Sequence, residues 1–178
     1  MTLEQMRASA LSDTLRDMFV NQLAHELKNY TLYNSFAIYY NRHGLSKISA
    51  YFKSRAEEER LHHQWVLDYL EESGASFDYP AIGTNDVHDF TDFVTPFELT
   101  LDREIETTQM INAIADEALK EHDWKTLSFL LGTFNTARLI PEQIEEEATS
   151  RTALEIMRGD DNIMFKEARI AELLSAGE

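Results

Sequence analysis

Three segments of the chain carry ionisable groups at positions where helical periodicity calls for a hydrophobe. Ile48, Phe52, Arg55, Glu59, His62, Val66 and Tyr69 recur at three- and four-residue steps, so Glu59 and His62 share one helical face with apolar groups. Phe19, Glu26, Tyr33 and Tyr40 follow one another at sevens, which sets Glu26 among aromatics. Phe97, Leu101, Glu104, Thr108, Ile111, Ala115 and Ala118 form a third stripe, with Glu104 inside it. A carboxylate buried without a partner is costly, and either takes up a proton or finds a cation. Converging carboxylates with one imidazole have a common solution, a bound metal. Glu59-Arg60-Leu61-His62 is moreover a Glu-x-x-His spacing, which puts both side chains on one face and builds carboxylate-bridged metal sites in helix bundles. Such a motif alone also arises on solvent-facing helices, so its weight comes from convergence with Glu26 and Glu104. Arg55, on the second stripe, is suited to pair with a buried acid.

These residues need long helices to position them, and the chain is poor in breakers. It has 6 glycines and 3 prolines, the latter at Pro80, Pro96 and Pro141. The spacing predicts a first helix over residues 12–41, with Phe19, Leu23, Leu27, Tyr30 and Ala37 on its apolar side and Gly44 in the turn after it. A second helix covers 46–72. Residues 75–94 lack helical periodicity, and ~20 extended residues reach ~65 Å, enough to cross a bundle lengthwise. A third helix runs from 95 to about 122, with Thr95 as N-cap and Pro96 at its first position. The fourth covers 124–158, interrupted or kinked at Pro141. A short fifth helix spans 162–175. Two antiparallel hairpins joined by a long crossover make an all-α four-helix bundle, here over about 12–158, with 1–178 read as a single domain.

Helical rise tests the convergence. Glu26 lies ~26 Å before the first hairpin turn and Glu59 ~23 Å after it. Glu104 precedes the second turn by ~28 Å, while Gln143 and Glu146 follow it by ~30 and ~34 Å. Each hairpin therefore brings its polar groups to a common level.

Composition narrows the function. Lys and Arg number 16 against 32 Asp and Glu, a net charge of −16, and 43% of residues are hydrophobic, too many for a disordered acidic tail. A pI near 4.7 argues against a basic nucleic-acid face and favours cations. The absence of cysteine excludes disulfides, thiol catalysis, thiolate zinc and cysteine-bound iron–sulfur clusters. No apolar run is long enough to span a membrane, and the first residues lack a secretion signal, so the expected location is the cytoplasm.

The segments His25-Glu26-Leu27 with Tyr33 seven residues on, Glu57-Glu58-Glu59-Arg60-Leu61-His62, Asp102-Arg103-Glu104 and Pro141-Glu142-Gln143-Ile144-Glu145-Glu146-Glu147 resemble the prokaryotic non-haem ferritins over nearly the whole chain. The resemblance implies a di-iron ferroxidase centre. Glu26 and His62 would be terminal ligands of the first iron, Glu59 would bridge both, and Glu104 would hold the second. Gln143 and Glu146 would be ligands or near-ligands from the fourth helix. Tyr33 would sit beside the centre, hydrogen-bonding or passing an electron. Glu58, Glu142 and Glu145 match a third, weaker iron site. The resemblance further implies oxidation of Fe(II) by O2 or H2O2 and storage of ferric mineral in a homo-oligomeric 24-subunit cage. It implies no haem, since Arg60 stands where bacterioferritin has its haem-ligating methionine, and Gln143-x-x-Glu146 replaces a second Glu-x-x-His. About six residues are inserted before Glu142-Gln143, as a loop can absorb, which leaves the fourth-helix register open. Two alternatives stay open: a cage subunit with weak or no ferroxidase activity, and a non-storage di-iron oxidase. His63 is expected at the surface or an interface, and Trp65 and Trp124 in packing or an interface.

Overall fold

The structure, a computed structural model, describes residues 11–83, 90–132 and 138–175. Helix α1 (Asp13–Arg42) begins at Ser12, whose hydroxyl accepts the Leu15 amide at 3.1 Å. Asp13 in its first turn and Arg42 in its last complement the helix dipole. Gly44 takes φ +77° in the tight turn to α2 (Ser46–Glu72), a conformation glycine reaches without strain. No side chain of its own turn caps α2; the Glu167 carboxylate, from the last helix, accepts the Lys47 amide instead.

Helix α3 (Thr95–Lys120) corrects one expectation. Thr95 is already helical and Val94 is the N-cap, while the Asp92 carboxylate two residues earlier accepts the Val94 and Thr95 amides at 2.7 and 2.8 Å. The expected fourth helix is two helices, α4 (Trp124–Leu131) and α5 (Leu139–Arg158). The break falls at Gly132, which closes α4 at φ +71°, and not at Pro141. Pro141 sits in the first turn of α5, where its missing N–H would have had no helical partner, so it does not interrupt the helix. Helix α6 (Ile163–Ser175) packs on α2 and α5, with Ile170 fully buried.

The described ends of the crossover lie at opposite ends of the bundle. Tyr39 and Tyr40, near the end of α1, donate to the carbonyls of Asp92 and Phe93, and Phe97 at the start of α3 packs against Tyr51 and Phe52 at the start of α2. Helix α3 thus starts beside the start of α2 and runs parallel to it. The predicted stripe on α2 is buried throughout. The stripe on α3 is rotated from the prediction: Thr100, Thr107 and Ile114 are buried, while Leu101, Thr108 and Ala115 are half-buried. All regular elements among the described residues are helices, and none of these is long and apolar enough to cross a membrane.

Candidate metal centre

Two apolar cores lie at the two ends of the bundle, and the polar residues form a layer between them. One core contains Leu32, Ala56, Phe97 and Ala153; the other contains Leu23, Val66, Ile111 and Leu139. On each helix the polar groups fall between these residues: Glu26 on α1, Glu59 and His62 on α2, Glu104 on α3, and Gln143 and Glu146 on α5. None of the six is more than 5% exposed.

The layer resolves into two donor groups with one member in common. Oxygens of Glu26 and Glu59 and a ring nitrogen of His62 lie within 4.8 Å of one another, and so do oxygens of Glu59, Glu104 and Glu146. His62 also spans the two, with Nδ1 3.9 Å from Glu59 Oε2 and Nε2 3.7 Å from Glu146 Oε1. Interiors leave few buried polar atoms unsatisfied. Here Glu26 Oε2, both oxygens of Glu59, Glu146 Oε2 and Gln143 Oε1 are buried without hydrogen-bond partners. Cations are the partners that carboxylate oxygens so gathered would take, and the donor chemistry fits divalent iron.

The remaining atoms are held in place. Gln22 Nε2 donates to Glu26 Oε1 at 2.5 Å. Tyr33 donates its hydroxyl to Glu104 Oε1 at 2.7 Å, Arg55 Nη2 donates to the same oxygen at 3.0 Å, and Gln143 Nε2 donates to Glu104 Oε2 at 2.9 Å. The Trp65 ring lies 5.3 Å from the His62 ring, inclined to it by 41°.

Burial dominates the electrostatics. It pushes the Glu59 carboxyl well above the usual range, and the neighbouring Glu26 and Glu104 push further. Burial lifts Glu146 to about 7 against the pull of His62 and Arg55. Burial works against a charged His62, but Glu146 and Glu142 outweigh it and raise the imidazole to about 9. Burial and Glu104 hold Tyr33 well above 10, so it remains a proton donor. Protons therefore occupy acids and imidazole that a divalent ion would have to deprotonate.

Glu58, Glu142 and Glu145 are not part of either group. They line an adjoining cavity of about 360 Å³ between α2, α5 and α6. Glu58 is paired with Arg55 at 2.6 Å and Glu142 with Arg138 at 3.0 Å, while Glu145 is exposed. Among the described residues their oxygens make no third group of the same kind. His63 is a correction: it is buried, with Nδ1 3.0 Å from the Leu23 carbonyl and Nε2 bonded to the Tyr79 hydroxyl. Gln22 escaped the sequence reading, although its position one helical turn before Glu26 was a usable signal.

The ferritin-like domain family matches residues 17–159. The chain is 28% identical over 154 residues to a bacterial non-heme ferritin of Staphylococcus aureus (strain MRSA252), covering 85% of this chain and 89% of that protein. It is also 28% identical over 167 residues to one of Bacteroides fragilis (strain 638R), covering 91% and 99%. A humanized archaeal ferritin superposes with a TM-score of 0.82 at 25% identity, covering 91% and 96% of the two chains. An open pore ferritin from the archaeon Archaeoglobus fulgidus does so with a TM-score of 0.81 at 24% identity, covering 90% and 96%, and shares the fold. With most of its length matched, and with two hairpins, a lengthwise crossover and a buried carboxylate layer, this chain belongs to the ferritin-like domain family.

Proposed function

We propose that this chain takes up Fe(II), oxidises it at a two-metal centre inside its own bundle, and stores the product as ferric mineral in a cage of its own copies. The observation that carries the reading is the pair of buried donor groups that share Glu59. Relatives named as ferritins support storage. The net charge of −16 supports steering of cations toward the protein. On this reading residues 1–178 act as one ferritin-like unit in the cytoplasm, and 24 copies close the shell.

Iron is the substrate. Two Fe(II) each give one electron to one O2, which with two protons becomes H2O2; peroxide is the alternative oxidant. The chain's residues bring the two ions together and manage protons. Glu59 bridges, Glu26 and His62 complete the first position, and Glu104 and Glu146 complete the second. Glu59, Glu146 and His62 release their protons as iron enters, which keeps the buried layer from accumulating positive charge. Tyr33 and Gln143 orient Glu104, and Gln143 Oε1 remains free for a weak bond that does not retain product. Glu58, Glu142 and Glu145 give exiting Fe(III) a looser station at the cavity.

The test is to load metal-free protein anaerobically with two Fe(II) per chain and admit air. Rapid oxygen uptake, saturating at that ratio, and a sedimentable ferric core are expected. An unchanged initial rate in correctly assembled Glu59→Ala protein would sink the catalytic claim. A storage cage with slow oxidation is the second reading, and the ion pairs of Arg55 with Glu104 and Glu146 favour it. It predicts mineral accumulation without the fast saturable phase.

A further inference from the structure

Arg55 is the feature that the two donor groups do not share. Its guanidinium is buried; Nη2 donates to Glu104 Oε1 at 3.0 Å, and Nη1 lies 3.6 Å from Glu146 Oε1. Glu104 and Glu146 are two of the three members of the second group. Among the described residues no guanidinium is ion-paired with Glu26 or Glu59. A permanent positive charge thus compensates the second position and leaves the first open.

The resting pose of Arg55 is incompletely satisfied. Its Nε is buried without a partner, while its shortest contact, Nη1 to Glu58 Oε2 at 2.6 Å, points out of the centre. Arg55 and Glu58 both line the cavity of about 360 Å³ beside the centre, together with Glu142 and Glu145. Glu58 is half-exposed, so a guanidinium moved toward it would regain water and keep one ion pair. A cation entering among Glu59, Glu104 and Glu146 would repel Arg55 along that path.

Resting on the two-metal reading of this centre, we propose that Arg55 serves as a displaceable internal cation at the second position. The centre then fills in order: the first ion binds at Glu26, Glu59 and His62 without displacing it. The second binds only as Arg55 leaves Glu104 and Glu146 for the acidic cavity. The ordering follows from charge, because a second dication and a guanidinium at one carboxylate pair repel strongly at low effective dielectric.

Anaerobic titration of the metal-free protein with Co(II), read by visible absorption and calorimetry, tests this apart from turnover. The wild type is expected to bind one Co(II) per chain tightly and a second at least about tenfold more weakly. Arg55→Gln should bring the two constants together, and Arg55→Lys, which keeps the charge, should restore the split. Where Arg55→Gln fails to fold, Glu58→Gln supplies the check: with the carboxylate that already pairs with Arg55 neutralised, the second constant weakens while the first holds. Equal constants in the wild type, an unchanged split in Arg55→Gln, or an unmoved second constant in Glu58→Gln overturns the role of Arg55. Co(II) bound by neither wild type nor variants removes the two-metal reading and this inference with it.

Discussion

The first donor group is drawn from α1 and α2, one hairpin closed by the short turn at Gly44; the second draws on α2, α3 and α5 and needs the crossover to exist. The two also differ in how their carboxylates are held. In the first, Glu26 keeps one oxygen free, and both oxygens of Glu59 are free. In the second, Glu104 has both oxygens engaged, by Tyr33, Arg55 and Gln143. A carboxylate with free oxygens need give up only a proton to take an ion, whereas a fully engaged one is better positioned but must release donors as well. Similar atoms in one layer therefore give two positions of unequal readiness.

Removing the shared residue should abolish the comparison altogether. Glu59→Ala is expected to lose both metal equivalents in calorimetry and to slow initial Fe(II) oxidation at least about 100-fold, beyond the cost of disturbing an outer residue. Single knockouts should separate the halves. Glu26→Ala should lose the tight equivalent and Glu104→Ala the weak one, each slowing oxidation about 10- to 100-fold by stopped-flow absorbance. Glu104→Ala should also destabilise the metal-free fold, by about 2–3 kcal/mol in urea, because it removes one acid from a buried guanidinium.

The seam between the halves should report through pH. Glu146 and His62 both have folded pKa values above their unfolded ones, so the folded chain keeps protons that the unfolded chain gives up. The stability they confer is complete below the usual 4.5 and 6.5, and is lost as pH rises through about 7 and about 9. The melting temperature of metal-free protein should therefore fall steadily from pH 5 to 9, as each group withdraws stability on the order of 3 kcal/mol. A bound divalent ion replaces those protons and should flatten or reverse the trend. A metal-free melting temperature that rises over this range would contradict the proton accounting. The smallest effects belong to the positioning residues. Gln22→Leu should weaken the first equivalent alone and Tyr33→Phe the second alone, each by about 0.5–1.5 kcal/mol. Crossed effects would mean that the groups do not act separately.

Much of the layer was legible in the residues themselves. The α2 stripe from Ile48 to Tyr69 and the α1 series Phe19, Glu26, Tyr33 and Tyr40 are buried as their spacing predicts, because a straight helix repeats its faces with near-fixed period. The α3 stripe was misplaced by its threonines. Thr100 and Thr107 return their hydroxyls to the carbonyls of Pro96 and Arg103 at 2.8 and 2.9 Å, and the Thr107 oxygen also meets His25 and Asn29, so both threonines are buried with their polar atoms satisfied. Pro141 carried the stronger breaker signal, yet position within a turn decides what a proline does, and Gly132 made the break. His63 looked peripheral because its partners, the Leu23 carbonyl and Tyr79, come from distant parts of the chain.

Helix faces and the level of each acid along its helix were properties of the sequence alone, since rise and period are local and nearly invariant. Which acids converge, which ones Arg55 neutralises, and where a cavity opens beside it were decided by the tertiary structure. Those outcomes depend on distances between separate helices, and electrostatic energy in a buried layer changes steeply over a few ångströms that no local pattern encodes.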